Sequence, residues 1–579
     1  MKALDPLISD ANVVLLGEAT HGTHEFFQLK HRFLEYLVLE KGFSIFAIEA
    51  TQPEAFQINR YVLDGEGDPE KALAGLYFWT WNTEEVFDMI RWMRSYNADP
   101  AHVKKLKFYG FDMQSPQMAV RLVEQYLARV DPDLAARARS QLSAIDDGYK
   151  ATEFLAIPAV MPVAERARLV PIVEELIKQF DTNQEPWSRH TSHDDWEIAR
   201  QHANVLRQSV SMMSKEGFAT LVPDRAKAMA DNLLWIARHE GPDARIVGWA
   251  HNTHVSFGEH FGLPESGLLE MGGYLKAALG DKLRVFGFAF GQGSFQAKAM
   301  LSGGGGLRTF SVGLWPDSLD AMLADAGKSL AVIDLHSLPK DGSAATWFAK
   351  PRSSRNVGAV FDPSAAWSIY TNRAQDCFDA LIFVAHTTAA RPMPWGHSQP
   401  AISLPHASNL DFERGEIGDT PTDWVFAHGG EAFGFRAALS AEKPHGGHAS
   451  AMLVRDPGPN YGLRYGQLSQ SIDATPYRGQ RVRLHAWMRA APGAAGGRGH
   501  LRLGVVRPAL QLSYEPKTAE SYRNPVTSEQ WQERTLEADV PPDALRVDFA
   551  AVLVGDGRLW IDDVGIDALG PIVTTAATH

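Results

Sequence analysis

The chain has 579 residues, 45% hydrophobic and 22% charged, which is enough apolar material for a large core and for more than one domain. Its net charge of −13 argues against nucleic acid as a partner, because proteins that bind phosphate backbones carry a basic excess. The lone cysteine, Cys377, excludes an internal disulfide and cysteine-rich zinc sites.

No apolar run is long enough to span a bilayer, and the start Met1-Lys2-Ala3-Leu4-Asp5-Pro6 lacks a signal-peptide pattern. A cytoplasmic protein is expected. Val13 to Leu16 reads as a buried strand, and Glu25 to Glu40 as an amphipathic helix with Phe26, Phe27, Leu29, Phe33, Leu34 and Leu37. Strands follow at Ser44 to Ala50 and Lys107 to Asp112. Pro116 to Glu240 is helical in pattern and reads as an insertion able to wall a cleft. Further strands are expected at Arg245 to Ala250, Leu283 to Phe290, Leu330 to Asp334 and Ala380 to Val384. Short apolar runs alternating with helices predict an α/β fold with a mostly parallel sheet covered on both faces. The glycine run Gly303 to Gly306 lacks the Lys-Ser/Thr of a phosphate-binding loop.

The pattern changes near residue 390. Proline-rich residues 391–407, with Trp395, Pro400 and Pro405, read as a linker after a domain over 1–390. Residues 408–570 then show short alternating strands with Gly, Pro and Asn turns. They fall at Trp424 to Ala427, Ala449 to Val454, Tyr465 to Ile472, Gln480 to Arg489, Leu501 to Val506, Arg546 to Leu553 and Leu559 to Ile566, with Gly493 to Gly499 as a hairpin tip. This predicts an antiparallel β-sandwich.

The chemistry-bearing residues stand at strand ends. Glu18 and His21 follow the first strand, Glu49 closes the second inside an apolar run, and His251 and His254 follow the strand ending Gly248-Trp249-Ala250. In an open α/β sheet, ligands bind at the carboxyl ends of the strands. Three strands would thus bring imidazoles and carboxylates to one pocket, a combination suited to moving protons or holding a metal. Asp112 is a further strand-end carboxylate, and His24 lies on a helix face beside Glu25. No Gly-x-Ser-x-Gly elbow occurs, position 28 is Gln where a His-Glu-x-x-His motif needs histidine, and no dinucleotide glycine pattern follows the first strand. A His/Glu site without a protein nucleophile points to activation of water by a general base, with a second group for the oxyanion. Cys377 reads as an inert thiol. Phe78, Trp79, Trp81 and Tyr77 are candidates for either core or cleft wall.

At these residues the chain resembles the erythromycin esterase family. The likeness is carried by Gly17-Glu18-Ala19-Thr20-His21-Gly22-Thr23-His24-Glu25-Phe26-Phe27, by Ile48-Glu49-Ala50 and by Trp81-Asn82-Thr83-Glu84-Glu85-Val86. It is carried also by Gly110-Phe111-Asp112-Met113-Gln114, by Trp249-Ala250-His251-Asn252-Thr253-His254, and by Met271-Gly272-Gly273-Tyr274-Leu275 with Val285-Phe286-Gly287. The resemblance implies hydrolysis of a macrolide lactone, an antibiotic-resistance activity. His21 would be the general base, with Glu18 and Glu49 orienting it and the water. His251 would stabilise the oxyanion or protonate the leaving alkoxide. His254, Lys30, His24, Asp112 and Arg225 would support the site or the substrate. Lys30 stands where some members have Arg, and Arg225-Ala226 where many have Arg-Asp.

No cofactor is required by this reading. A metal-dependent hydrolase would instead place a divalent ion on His21, Glu49, His251 and His254. The same residues are compatible with a hydrolase or transferase acting on cell-wall or exopolysaccharide esters, and with a catalytically silent binding protein. The expected partner is a small-molecule ester. Segments such as Asn409-Leu410-Asp411-Phe412-Glu413 and Trp560-Ile561-Asp562-Asp563-Val564 resemble galactose-binding-like jelly rolls, which implies a glycan as a second partner.

Overall fold

In the computed structural model the described residues are 1–76, 78–147, 163–215, 218–258, 267–299, 307–361, 368–393, 404–426, 435–455, 465–493, 496–506, 512–514, 524–542, 544 and 546–572. Tyr77, the run Gly303 to Gly306, linker residues 394–403 and hairpin-tip residues 494–495 lie outside them. The chain divides into two units. The first is built from Met1–Ile157, Val163–Ala297 and Thr309–Gly396, and the second mainly from His397–His579.

The first unit is an α/β domain. Its strands are β1 (Val13–Leu16), β2 (Ile45–Thr51), β3 (Lys107–Asp112), β4 (Ile246–Trp249), β5 (Leu283–Ala299), β6 (Leu307–Val312), β7 (Leu330–Asp334), β8 (Arg352–Arg355), β9 (Val360–Phe361), β10 (Ile369–Asn372) and β11 (Ala380–Thr387). The main sheet runs β3-β2-β4-β1-β5-β11-β7, with β6 and β9 also paired to β5. The pairs β2/β3, β2/β4, β1/β4, β1/β5 and β5/β11 are parallel, and β7 joins β11 antiparallel. Every residue of β1, β2 and β4 is buried, which explains their continuous apolar runs.

Helices cover both faces. On one side Phe26, Phe33 and Leu37 of the helix His24–Lys41 pack with Ile58 and Met89. On the other, Leu233 and Ile236 of Phe218–His239 pack with Met271 and Leu275. Gly42, at φ 72°, closes the first helix in the left-handed conformation that glycine adopts without strain. The helical insertion between β3 and β4 includes Gln117–Val130, Val163–Thr182, His193–Met213 and Phe218–His239. No described helix is long and apolar enough to cross a membrane.

The order of the strands positions the site. The chain leaves β1 for β2 and β3, then returns to place β4 between β1 and β2, and only then lays β5 on the other side of β1. The carboxyl ends of β2, β4 and β1 therefore lie side by side, at the kind of topological switch where α/β sheets bind ligands.

The second unit is an antiparallel β-sandwich of two five-stranded sheets. One contains β12 (Val425–Phe426), β15 (Tyr465–Asp473), β20 (Arg546–Val554), β17 (Arg498–Val506) and β18 (Leu512–Tyr514). The other contains β13 (Phe435–Ser440), β14 (Ser450–Arg455), β21 (Gly557–Pro571), β16 (Gln480–Pro492) and β19 (Gln532–Val540). Leu468, Leu501 and Phe549 of the first sheet share one core with Leu439, Leu453, Leu484 and Ile561 of the second.

Candidate active site

The turn after β1 is tightly enclosed. A Cβ on Gly17 would lie 2.3 Å from the Asn252 side-chain oxygen, and one on Gly22 would lie 2.2 Å from the Gln296 carbonyl, so glycine is required at both. Between them Glu18 is 0% exposed. One carboxylate oxygen lies 2.7 Å from Nδ1 of His21. The other accepts from Lys30 Nζ at 2.5 Å and from Trp249 Nε1 at 2.7 Å. A carboxylate only accepts, so His21 donates from Nδ1, and in the neutral form of that ring the lone pair is on Nε2. The His21 ring lies edge-on to Trp81 and has its centroid 4.7 Å from that of His251. Lys30 is 1% exposed, with Nζ 4.2 Å from the Trp249 ring centroid. Burial pushes its amine down to about 8, against the pull of Glu18.

Glu49 organises the other half. Its Oε1 accepts from Arg225 at 2.7 Å and lies 3.3 Å from His254 Nε2, while Oε2 accepts from the His251 backbone N–H at 2.9 Å. Trp81 donates from Nε1 to the Glu49 carbonyl at 2.8 Å. Arg225 also grips Asp112 with two prongs, at 3.2 and 2.8 Å. Burial alone would raise the Glu49 carboxyl, but His254 and Arg225 hold it well below the usual range. His254 shows the converse. Burial works against its charge, yet Glu49 and Glu270, whose Oε2 is 3.7 Å from Nδ1, raise it to about 9.

His251 is different again. Burial, then His21 and His254, push it well below its ordinary value, so the ring is neutral. Its Nε2 donates to the Val357 carbonyl at 3.0 Å, and Nδ1 faces the Thr253 hydroxyl at 2.9 Å. The sequence suggests His251 as the oxyanion or alkoxide partner. In the structure its ring proton is already donated to backbone, whereas His254 Nε2 lies 2.9 Å from Arg225 Nη1 and 3.3 Å from Glu49.

The strand order thus brings His21, Glu18 and Lys30 into one hydrogen-bonded group, and Glu49, Asp112, Arg225 and His254 into another. His24 takes a different place, at the start of its helix, with Nδ1 2.5 Å from Glu85. Trp249, Val357 and Glu270 complete the two groups, although the sequence does not single them out as contributors, and Trp81, a candidate for core or cleft wall, joins them through its bond to the Glu49 carbonyl. Glu270 has one local signal, its place just before the Met271-Gly272-Gly273 segment. Cys377 is buried, and burial pushes its thiol up to about 12. Among the described residues no group of three or more His, Cys, Asp or Glu side chains is arranged to hold a metal ion. His21, Glu49, His251 and His254, the four candidate metal ligands, bond instead to Glu18, Arg225, Val357 and one another.

This is a buried site of imidazoles and carboxylates at the switch point of an α/β sheet. The sequence profile of the erythromycin esterase family matches residues 38–387, and the chain belongs to that family. That span contains Glu49, Asp112, Arg225, His251 and His254, whereas Glu18, His21 and Lys30 precede it. Erythromycin esterase type II of Escherichia coli is 25% identical over 311 residues, covering 49% of this chain and 70% of that protein. The putative hydrolase YbfO of Bacillus subtilis (strain 168) is 23% identical over 417 residues, covering 67% of this chain and 86% of that one. A mutant of erythromycin esterase EreC, solved in its open conformation, shares the fold with a TM-score of 0.53 at 18% identity, over 67% of this chain and 93% of that one. The family and the relatives from Escherichia coli and Bacillus subtilis support hydrolase chemistry.

Proposed function

We propose that the site hydrolyses an ester by histidine-activated water, with macrolide lactones as the leading substrate class. The observation that carries this reading is the Glu18–His21 pair at 2.7 Å, with Glu18 itself clamped by Lys30 and Trp249. A carboxylate bonded to Nδ1 fixes the tautomer and the ring orientation, which leaves Nε2 to act as base.

His21 takes a proton from water, and the hydroxide adds to the ester carbonyl carbon. The tetrahedral oxyanion is stabilised by positive charge from the Glu49 half, where Arg225 resides beside His254. When the intermediate collapses, the C–O bond to the alcohol breaks and His21 returns its proton to the departing alkoxide. The products are one carboxylic acid and one alcohol, which for a lactone are the two ends of a single opened chain. Glu49 has a positioning role, since it ties His254, Arg225 and the His251 backbone to the end of β2.

The family of the chain and the activity for which the Escherichia coli relative is named support the lactone class. A mass-spectrometric screen of macrolides and simple esters tests it. The expected result is a gain of one water by at least one macrolide; turnover of simple esters alone would remove the lactone assignment. For the second unit, His445 stacked on Trp487 with a centroid distance of 4.0 Å, beside Trp531, supports glycan capture. Retention on immobilised polysaccharide that is lost in Trp487→Ala checks this.

A further inference from the structure

The chain just beyond β11 laces the turn that carries His21 to the start of a second helix. Thr388 to Met393 first runs antiparallel to the turn. His24 donates its backbone N–H to the Thr388 carbonyl at 3.0 Å, and Ala390 donates to the Gly22 carbonyl at 2.9 Å. The same segment then crosses the residues that open the helix Glu84–Ala98. Glu84 donates its backbone N–H to the Arg391 carbonyl at 2.9 Å, and Met393 donates to the Asn82 carbonyl at 2.9 Å.

Glu85 stands where the turn, the helix and the crossing segment meet. Its side chain is 2% exposed. A carboxylate only accepts, so Oε1 takes the Nδ1 proton of His24 at 2.5 Å. The backbone N–H of Arg391 lies 3.1 Å from Oε1 and 3.3 Å from Oε2. We propose that Glu85 is a positioning residue for His21, holding the imidazole in place through the turn on one side and through Trp81 on the other. The proposal rests on the reading of His21 as the base.

Two routes carry the effect. His24 is three residues from His21, and the Gly22 carbonyl between them is held by Ala390 and by Gln296 of β5, each at 2.9 Å. The turn is thus pinned between β5 and the crossing segment, and Glu85 ties that segment to His24. The second route is Trp81, four residues before Glu85. Its indole bonds to the Glu49 carbonyl at 2.8 Å, and its ring stands edge-on to His21 with centroids 6.1 Å apart. The Thr83 backbone N–H donates to the Trp81 carbonyl at 2.9 Å, and the Thr83 hydroxyl oxygen accepts from Val86 N–H at 3.3 Å, which joins Trp81 to the helix start. Loss of Glu85 loosens both supports of the imidazole. The neighbouring Glu84 is a contrast. It meets the Arg391 side chain at 2.6 Å with both groups 54% exposed, and an ion pair in water contributes little.

The test compares full-length wild type, Glu85→Ala, Glu85→Gln and Glu84→Ala with erythromycin as probe, and rates are expressed per folded molecule. A base displaced by about 1 Å loses about 100-fold in rate. Glu85→Ala should therefore lower kcat by about 10- to 100-fold and leave KM within about 2-fold. Glu85→Gln keeps an oxygen for the Arg391 N–H and turns its amide to His24 Nδ1, which accepts in the other tautomer, so kcat should stay within about 3-fold of wild type. Glu84→Ala should match wild type. A second readout needs no substrate. The His21 Nδ1 proton, donated to buried Glu18 at 2.7 Å, gives a downfield NMR signal that is identified by its absence in His21→Asn. Its exchange with water should be about 10-fold faster in Glu85→Ala. Should Glu85→Ala fail to fold, His24→Phe cuts the same bond from the other end and replaces it, with the same expectations. Where wild type leaves erythromycin intact, the reading of the site fails, and proton exchange at His21 alone decides the proposal. Unchanged exchange, unchanged kcat, a loss confined to KM, no rescue by Glu85→Gln or an equal loss in Glu84→Ala would overturn it.

Discussion

The two halves of the site are built from the same parts and carry charge differently. In each, a buried carboxylate holds one histidine and one basic side chain: Glu18 with His21 and Lys30, Glu49 with His254 and Arg225. In the Glu18 half one cation answers one carboxylate, and Trp249 supplies a neutral donor. In the Glu49 half Arg225 pairs with Glu49 and Asp112, while Glu49 and Glu270 flank His254 and raise it to about 9 against the neighbouring Arg225. Neighbouring charge thus raises His254 and lowers Glu49 against the opposing effect of burial on each.

The contrast between the halves is most exposed at His21. His21→Ala removes the base, and hydrolysis should fall by about 100- to 10,000-fold with little change in melting temperature, as steady-state kinetics and calorimetry would measure. Next, Glu18→Gln leaves the Lys30 charge buried without its counter-charge. Chemical denaturation should show a loss of about 3–5 kcal/mol, alongside lost activity. Joining Lys30→Met to it should restore much of the stability but none of the activity, because His21 still lacks its anchor.

The Glu49 half is tested by pH. With His254 at about 9, activity should decline as pH rises through that value. Glu49→Gln removes the anion that raises His254, so the basic limb of the rate profile should move to lower pH. Stability should follow the same groups. His254 is raised above its ordinary 6.5, so its contribution is full below 6.5 and is lost as pH rises through about 9. Glu49 is held below its ordinary 4.5, so its contribution is full above 4.5 and is lost as pH falls through its folded value. Lys30 runs the other way. Its amine is lowered from 10.5 to about 8, so burying its charge costs stability below 8, and that cost fades between 8 and 10.5. The smallest expected effect is at Cys377, whose buried thiol should resist iodoacetamide in the native state and react promptly in urea.

Much of this architecture is legible in the sequence because the central strands are buried on both faces. Val13 to Leu16 and Lys107 to Asp112 can be read residue for residue, and Glu18, Glu49 and His251 stand out as polar groups at the ends of apolar runs. The strands that escape sequence reading have mixed environments. Alternate residues of β6 are half-buried or exposed, and β19 alternates charged residues with short apolar ones. The strand β5 reads as ending near Phe290 because Gly291 and Gly293 follow. In the structure it continues to Ala299, and Gly293 is needed at φ 133°, where a Cβ would lie 2.1 Å from the Thr387 carbonyl of β11. Long-range partners are not written in local pattern at all. Nothing near Trp249 reveals that its indole donates to Glu18, 231 residues away in sequence, nor does the position of Lys30 in an amphipathic helix reveal that it points inward.

The proposed mechanism stands or falls on His21, oriented by Glu18, activating the water that opens the ester. Product mass decides it, after incubation of a macrolide substrate with wild type and with folded His21→Ala, in ordinary water and in water labelled with oxygen-18. Wild type should add one water carrying the label, and His21→Ala should leave the lactone intact over the same period. Equal turnover by His21→Ala would contradict the role assigned to His21.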